Sequence, residues 1–477
     1  MDHLFGKLKE IRDSGIYPYH MPGHKRRECG KLSRDLCGFD ITEIDGFDNL
    51  HHPQGLLLEL QHKAAALYGA EESFYLVNGS TAGILSAISA ALPCGGHILM
   101  ARNCHRSAYH AVYLRNLSVS YLYPPLIDGW DVFDAVTPQQ VRTALESEPE
   151  IGAVLVVSPT YEGRISDIRA IAEIVHERGI PLIVDEAHGA HLGFDRGFAE
   201  NSCQAGADLV IHSVHKTLPA LTQAALLHVN GPLIDRGYLR RFLQIYQTSS
   251  PSYLLMASID NALRFVEQEG GNAFQRFEKY YGKMVESLAA CRNLRILPPA
   301  SGRQDIGKLV ISVKDTGMSG RELYDILRTR YGLQLEMAAE SFCLAMFTIA
   351  DTPEGYERMT HALLELDDEL FAAATEDFNE TVVYSCGDSL LDIDSDSIPL
   401  AKAWDMEKLI LPLDESSGCY AGEFVNLYPP GVPILVPGEH ITVLLCEKIR
   451  DWVSSGLDVQ GVEIRDGSIY ITALKED

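Results

Sequence analysis

The chain has 477 residues, enough for two or three domains with sizeable cores. Its 40 Lys and Arg stand against 66 Asp and Glu, a formal charge of −26, which argues against nucleic acid as a partner because phosphate-backbone binding needs a basic face. The opening "MDHLFGKLKEIRDSG" reads as an amphipathic helix rather than a signal peptide, and no apolar run reaches membrane-span length, so a cytoplasmic enzyme is expected.

In chain order, "ESFYLVNGSTAGILSAISAAL" predicts a strand, a tight polar turn and a helix, and "GGHILMARNCH" predicts the next strand. "AVLVVSPT" (Ala153–Thr160) is a continuous β-branched run closed by Pro159. It is followed by a helix with Ile168, Ile171, Ala172 and Val175 on one face and Gly179 as a stop. "IPLIVDEAH" and "ADLVIHSVHK" add two buried strands, and Ala224 to Val229 a third. Strands apolar on both faces and separated by helices indicate a parallel sheet covered by helices. The expected organisation is an N-terminal segment (1–45), a large α/β domain (46–272), a smaller α+β domain (273–375) around the strand "KLVISV", and a C-terminal domain (376–477). The change of pattern is set at Gly270–Gly271, and the acidic stretch Asp388–Ser397 belongs near a further boundary. Ten cysteines without a CxxC pair are expected to be reduced, partly buried small hydrophobes.

Open parallel sheets bind ligands at the carboxyl ends of their strands. After the first strand, Asn78-Gly79-Ser80-Thr81 opens a helix. Hydroxyls and free N–H groups there suit a phosphate, although Ser80 or Thr81 as a simple helix cap is the plainer alternative. The chain has no GxGxxG and no GK[ST] P-loop, so dinucleotide and ATP readings lack support. His105 ends the next strand, and Asp185 ends "PLIVDEAH" as a carboxylate needing a partner. Asp185, His188 and His191 form no recognisable metal spacing, and no metal is expected. Lys216 ends its strand beside Ser213 and His215; a buried ammonium needs compensation or becomes a reactive amine, whereas a lysine whose head reaches back to water is the plain alternative. One ligand uses a phosphate turn, an imidazole, a carboxylate and a lysine together: pyridoxal 5′-phosphate (PLP).

The sequence also resembles the fold-type-I Orn/Lys/Arg decarboxylase family, in its short form without an N-terminal receiver-like domain. The resemblance spans nearly the whole chain, from "MPGHK" (Met21–Lys25) through "LYGAEESFYLVNGSTAG", "RNCHRS", "SPTYEG", "VDEAHGAH" and "SVHKTLPALTQ" to "TSSPSY" and "YPPGVPILVPGE" (Tyr428–Glu439). It implies a fold-type-I, aminotransferase-like large domain with a mainly parallel sheet, a smaller α+β domain and a C-terminal domain. It implies Lys216 as the Schiff-base lysine, Asp185 at the pyridine nitrogen, and His105 and Ala187 on the two faces of the ring. Ser80, Thr81, Ser213 and His215 would surround the phosphate. The site would lie at a homodimer interface, with Ser249 and Ser250 entering the partner's phosphate pocket. Glu423 would receive the distal cation of the substrate.

Two positions depart from the family pattern: Cys419 follows Gly418 where arginine is expected, and Leu427 replaces a proline before Tyr428. Both bear on substrate choice. The reaction implied is decarboxylation of a basic amino acid, arginine first, then lysine or ornithine, with Lys216 or His215 returning a proton to Cα. Transamination or elimination on the same cofactor, or a non-catalytic PLP-binding scaffold, are the competing readings.

Overall fold

The computed structural model describes residues 17–19, 48–299, 303–374, 397–428 and 431–475. The expected N-terminal helix, "MPGHK", Pro429, Pro430 and nearly all of the acidic stretch lie outside the described residues.

Seven strands form the central sheet: β1 (Glu72–Leu76), β2 (His97–Ala101), β3 (Ser118–Leu122), β4 (Ala153–Val157), β5 (Leu182–Asp185), β6 (Leu209–His212) and β7 (Ala225–Val229). Their order is β1-β7-β6-β5-β4-β2-β3. Only β7 runs antiparallel to its neighbours, while β3, β2, β4, β5 and β6 pair in parallel. The sequence explains the placement. Ala153 to Val156 are wholly buried, and each such Val or Leu removed from water is worth roughly 1.5–3 kcal/mol. The side strands β1 and β3 show more exposed positions.

The helices that cover the sheet are α1 (Leu56–Tyr68), α2 (Gly79–Ala91), α3 (Arg106–Arg115), α4 (Pro138–Ser147), α5 (Ile168–Glu177) and α6 (Arg236–Tyr246). Helix α5 shows why this sequence forms them. Asp167 caps the Ala170 N–H, the Ile168/Ile171/Ala172/Ile174/Val175 face is buried, and Gly179 turns the chain away with φ +68°. The helical periodicity and the stop were written in the sequence; the Asp167 cap is seen in the structure.

The expected division at residue 272 falls within a helix. Helix α7 (Tyr253–Leu288) runs for 36 residues straight through Gly270 and Gly271. Two glycines cost a helix about 1 kcal/mol each, and the buried Val266, Ala273, Phe274 and Phe277 of the same helix outweigh that cost. The helix therefore joins the large sheet to the smaller one without a break. The smaller sheet is antiparallel, with the order Met337–Ala338, Phe342–Met346, Lys308–Ser312 and Arg295–Ile296. Helices α8 (Gly320–Thr329) and α9 (Pro353–Ala374) accompany it.

The C-terminal portion holds two three-stranded sheets, helix α10 (Val443–Ser454) and its own core, which includes Val425, Leu435, Ile449, Trp452 and Ile471. Arg102, just past β2, ties this portion to the large sheet. Its guanidinium is 1% exposed and donates to the carbonyls of Pro433 (2.6 Å) and Ile434 (3.0 Å) and to the Glu439 carboxylate (3.0 Å). A buried arginine needs such acceptors and a countercharge to offset the loss of water. Among the described residues, no helix is long and apolar enough to cross a membrane.

Candidate active site

The carboxyl ends of β1, β2, β5 and β6 open on one cavity of about 500 Å³. It brings together Ser80 and Thr81 from the start of α2, His105 after β2, Asp185 and Ala187 at the end of β5, and Ser213, His215 and Lys216 after β6. Eight of the expected site residues thus share one space, although they come from four separate parts of the chain. The sheet topology does this: parallel strands present their carboxyl ends on the same side.

Lys216 Nζ lies 2.9 Å from His188 Nε2. Burial pushes the amine down to about 8, with Asp185 and Glu336 pulling it upward. Burial likewise raises the Asp185 carboxyl, which Lys216 and the Ala187 N–H (3.2 Å) partly counter. His105 caps α3 by accepting the Ser107 N–H at Nδ1 (3.2 Å). Burial, then Lys216, pushes its imidazole down to about 3, so it is an uncharged flat ring. The Ser213 hydroxyl is buried without a hydrogen-bond partner. Helix α2 has no side-chain cap, because Asn78 spends its Oδ1 on the Thr248 N–H (3.2 Å). An unpartnered hydroxyl and an open helix N-terminus both suit an anion. His215 hydrogen-bonds the Ala224 carbonyl through Nδ1 at 2.9 Å.

Three expectations do not fall in this cavity. Glu423 lies outside it: its carboxylate accepts from Trp404 Nε1 (2.9 Å) and Lys408 Nζ (3.4 Å), on a half-exposed surface of the C-terminal portion. Trp404 stands between Glu423 and the large domain, packing on His110 and Tyr113. Ser249 and Ser250 are exposed just before α7 and do not line the cavity of their own chain. Cys419 packs against the C-terminal core. The three residues Asp185, His188 and His191 diverge: His188 faces Lys216, whereas His191 bonds Asp305 at 3.0 Å.

Sequence reasoning gave no role here to Asn103, Tyr161, His188, Glu336 and Tyr428, all of which line the cavity. Glu336 accepts a hydrogen bond from the Tyr161 hydroxyl, and the Tyr161 ring meets His188 edge-on at 4.7 Å. Glu336 comes from the small antiparallel region, far along the chain, and no local pattern marks it. His188 was legible, since it stands three residues after Asp185 in "DEAH".

A single-turn strand-end lysine beside a buried carboxylate, on a sheet with one reversed strand, is the fold-type-I architecture. Solved structures share it. Lysine decarboxylase A from Pseudomonas aeruginosa superposes with a TM-score of 0.76, covering 99% of this chain and 80% of that one at 18% identity. The constitutive lysine decarboxylase of Escherichia coli superposes at 0.73, over 88% and 74%, also at 18% identity. In sequence, the arginine decarboxylase of Bacillus subtilis is 30% identical, covering 99% of this chain and 98% of its own. That of Bacillus anthracis is 30% identical over 96% and 94%. The family model described as Orn/Lys/Arg decarboxylase, major domain, matches residues 3–301. The chain belongs to the Orn/Lys/Arg decarboxylase family and is an amino-acid decarboxylase.

Proposed function

We propose that this protein releases carbon dioxide from a basic amino acid, arginine first and lysine or ornithine next, using PLP carried on Lys216. The observation that carries the reading is a lysine amine driven down to about 8 within one cavity that also holds Asp185, His105 and Ser213. The residues present fit the cofactor. The orphaned Ser213 hydroxyl, with Ser80 and Thr81 at the open start of α2, suits its phosphate. When bound, PLP supplies an electron sink for the pair left behind by the departing carboxylate.

The chain's own groups do the rest. Asp185, whose charge is costly while buried, would be stabilised as a carboxylate by the cofactor's protonated ring nitrogen and would help hold that proton. His105 remains neutral and offers an uncharged face for stacking, with Ala187 on the other side. Lys216, partly unprotonated near neutral pH, would be the amine that holds the cofactor. His188, which burial pushes well below its ordinary value, accepts a hydrogen bond from that amine and fixes its direction. Lys216 or His215 returns a proton to Cα. His215 Nδ1 hydrogen-bonds the Ala224 carbonyl, which fixes the direction of its ring. The reading includes a cytoplasmic homodimer in which the exposed Ser249 and Ser250 complete the partner's phosphate pocket.

The test is carbon dioxide release by the PLP-loaded protein offered arginine, lysine, ornithine and a neutral amino acid separately. Release from a basic substrate, abolished in Lys216→Ala, is expected. Absence of release from every basic substrate, with the cofactor confirmed bound, refutes the proposal.

A further inference from the structure

A second cavity, of about 200 Å³, adjoins the first and shares the side chains Asn103, Tyr161 and Val432 with it. Its walls are mainly apolar, including Phe133, Met337 and Phe342. Three carboxylates face it, in different states. Asp131 is paired with Lys314 at 2.8 Å, and Glu340 with Lys448 at 3.5 Å. Glu162 receives a hydrogen bond from Thr160 and has no basic side chain among the groups that shift it. Burial raises its pKa, as it must for a carboxylate without a countercharge. The shared wall holds a second unmet group: Asn103 Oδ1 is buried with no hydrogen-bond partner among the described residues.

A cavity with apolar sides, an uncompensated carboxylate and an orphaned amide oxygen is complementary to an alkyl chain that ends in a cation. A guanidinium fits best, because its planar fork gives a carboxylate two parallel hydrogen bonds and still has donors for an amide oxygen. We infer that this second cavity is the tail subsite of the enzyme, with Glu162 receiving the distal cation of the substrate and Asn103 Oδ1 sharing it. The inference rests on the decarboxylase reading for the identity of the chain that enters. It assigns to Glu162 the role that the sequence suggested for Glu423. Tyr161 stands beside Glu162 at the junction, and its hydroxyl is anchored by Glu336, so the tail passes between the two cavities along a fixed aromatic wall.

The test compares the PLP-loaded wild type with Glu162→Gln, which keeps shape and removes charge. A charge-assisted hydrogen bond lost in a buried site corresponds to about a ten- to a hundredfold loss of affinity. KM for arginine should rise by that factor while kcat changes far less. Calorimetric binding of agmatine, which has the tail but no carboxylate, should weaken equally. Binding of norvaline, which has the chain without the cation, should not change. If the wild type decarboxylates arginine but E162Q leaves KM and agmatine affinity unchanged, the inference is overturned and the proposed function stands. If the wild type decarboxylates no basic amino acid, the proposed function falls, and agmatine affinity still decides the subsite: weakening in E162Q supports it and no change overturns it. Should E162Q fail to fold, as judged by thermal melting, Asn103→Leu removes the opposite acceptor and is read by the same two affinities.

Discussion

Replacing Lys216 by Met keeps most of the side chain, one atom shorter, and removes its charge. In the cofactor-free protein, burial moves this amine from its ordinary 10.5 down to about 8. That difference of roughly 2.5 units, at about 1.36 kcal/mol each, makes the ammonium a burden of about 3 kcal/mol on the folded state, an upper bound because the cavity admits water. The sign follows from where the protons are. Below the folded value, Lys216 is charged in both states and the full cost applies. Between about 8 and 10.5 the unfolded chain binds more protons than the folded one, so wild-type stability rises with pH. Above 10.5 the amine is neutral in both states and the cost is gone. Lys216→Met should therefore be more stable than wild type at neutral pH, by up to about 3 kcal/mol, with the advantage fading to nothing above 10.5. Urea denaturation of both cofactor-free proteins across that range measures it, and taking the difference cancels every other titrating group. An advantage independent of pH would mean that packing, not charge, sets the effect, and the reactive-amine argument would lose its basis.

Glu186 offers the opposite sign. Its carboxyl, 2.6 Å from His212 Nε2, is raised by burial from 4.5 to about 8, so ionisation weakens the fold as pH rises between those values. Glu186→Gln should gain stability relative to wild type across that window and show no gain below it, as followed by thermal melting against pH. Glu439→Gln removes the countercharge of the buried Arg102 and should cost about 3–5 kcal/mol. Proteolysis should then begin within residues 431–475 before the central sheet opens.

The sheet was legible because its information is local. Continuous β-branched runs, amphipathic helices and a glycine stop fix β4, α5 and β5, and the carboxyl-end rule then gathers Asp185, His105, Ser213 and Lys216. The site beyond the sheet was less legible because its information is not local. Glu336 faces the cavity through packing between the large and small sheets, and nothing adjacent to it in sequence signals it; Glu162 lies in the quoted "SPTYEG", yet no role was read from it. Glu423 is expected as a tail acceptor from its position in a motif; within this chain its oxygens accept from the Trp404 indole and the Lys408 ammonium. Gly270 and Gly271 looked like a boundary because glycine disfavours a helix, but neither is crowded and the buried face on either side carries the helix through.

A chain made from its N-terminus delivers Lys216 long before the segment that Arg102 grips. Until Pro433, Ile434 and Glu439 emerge, Arg102 has the Tyr109 hydroxyl (3.0 Å) but lacks these two carbonyls and its countercharge. Tyr428 and Val432, which close the cavity beside His105, arrive with the same segment. The order of synthesis thus places completion of the cavity wall after every strand of the central sheet has been made.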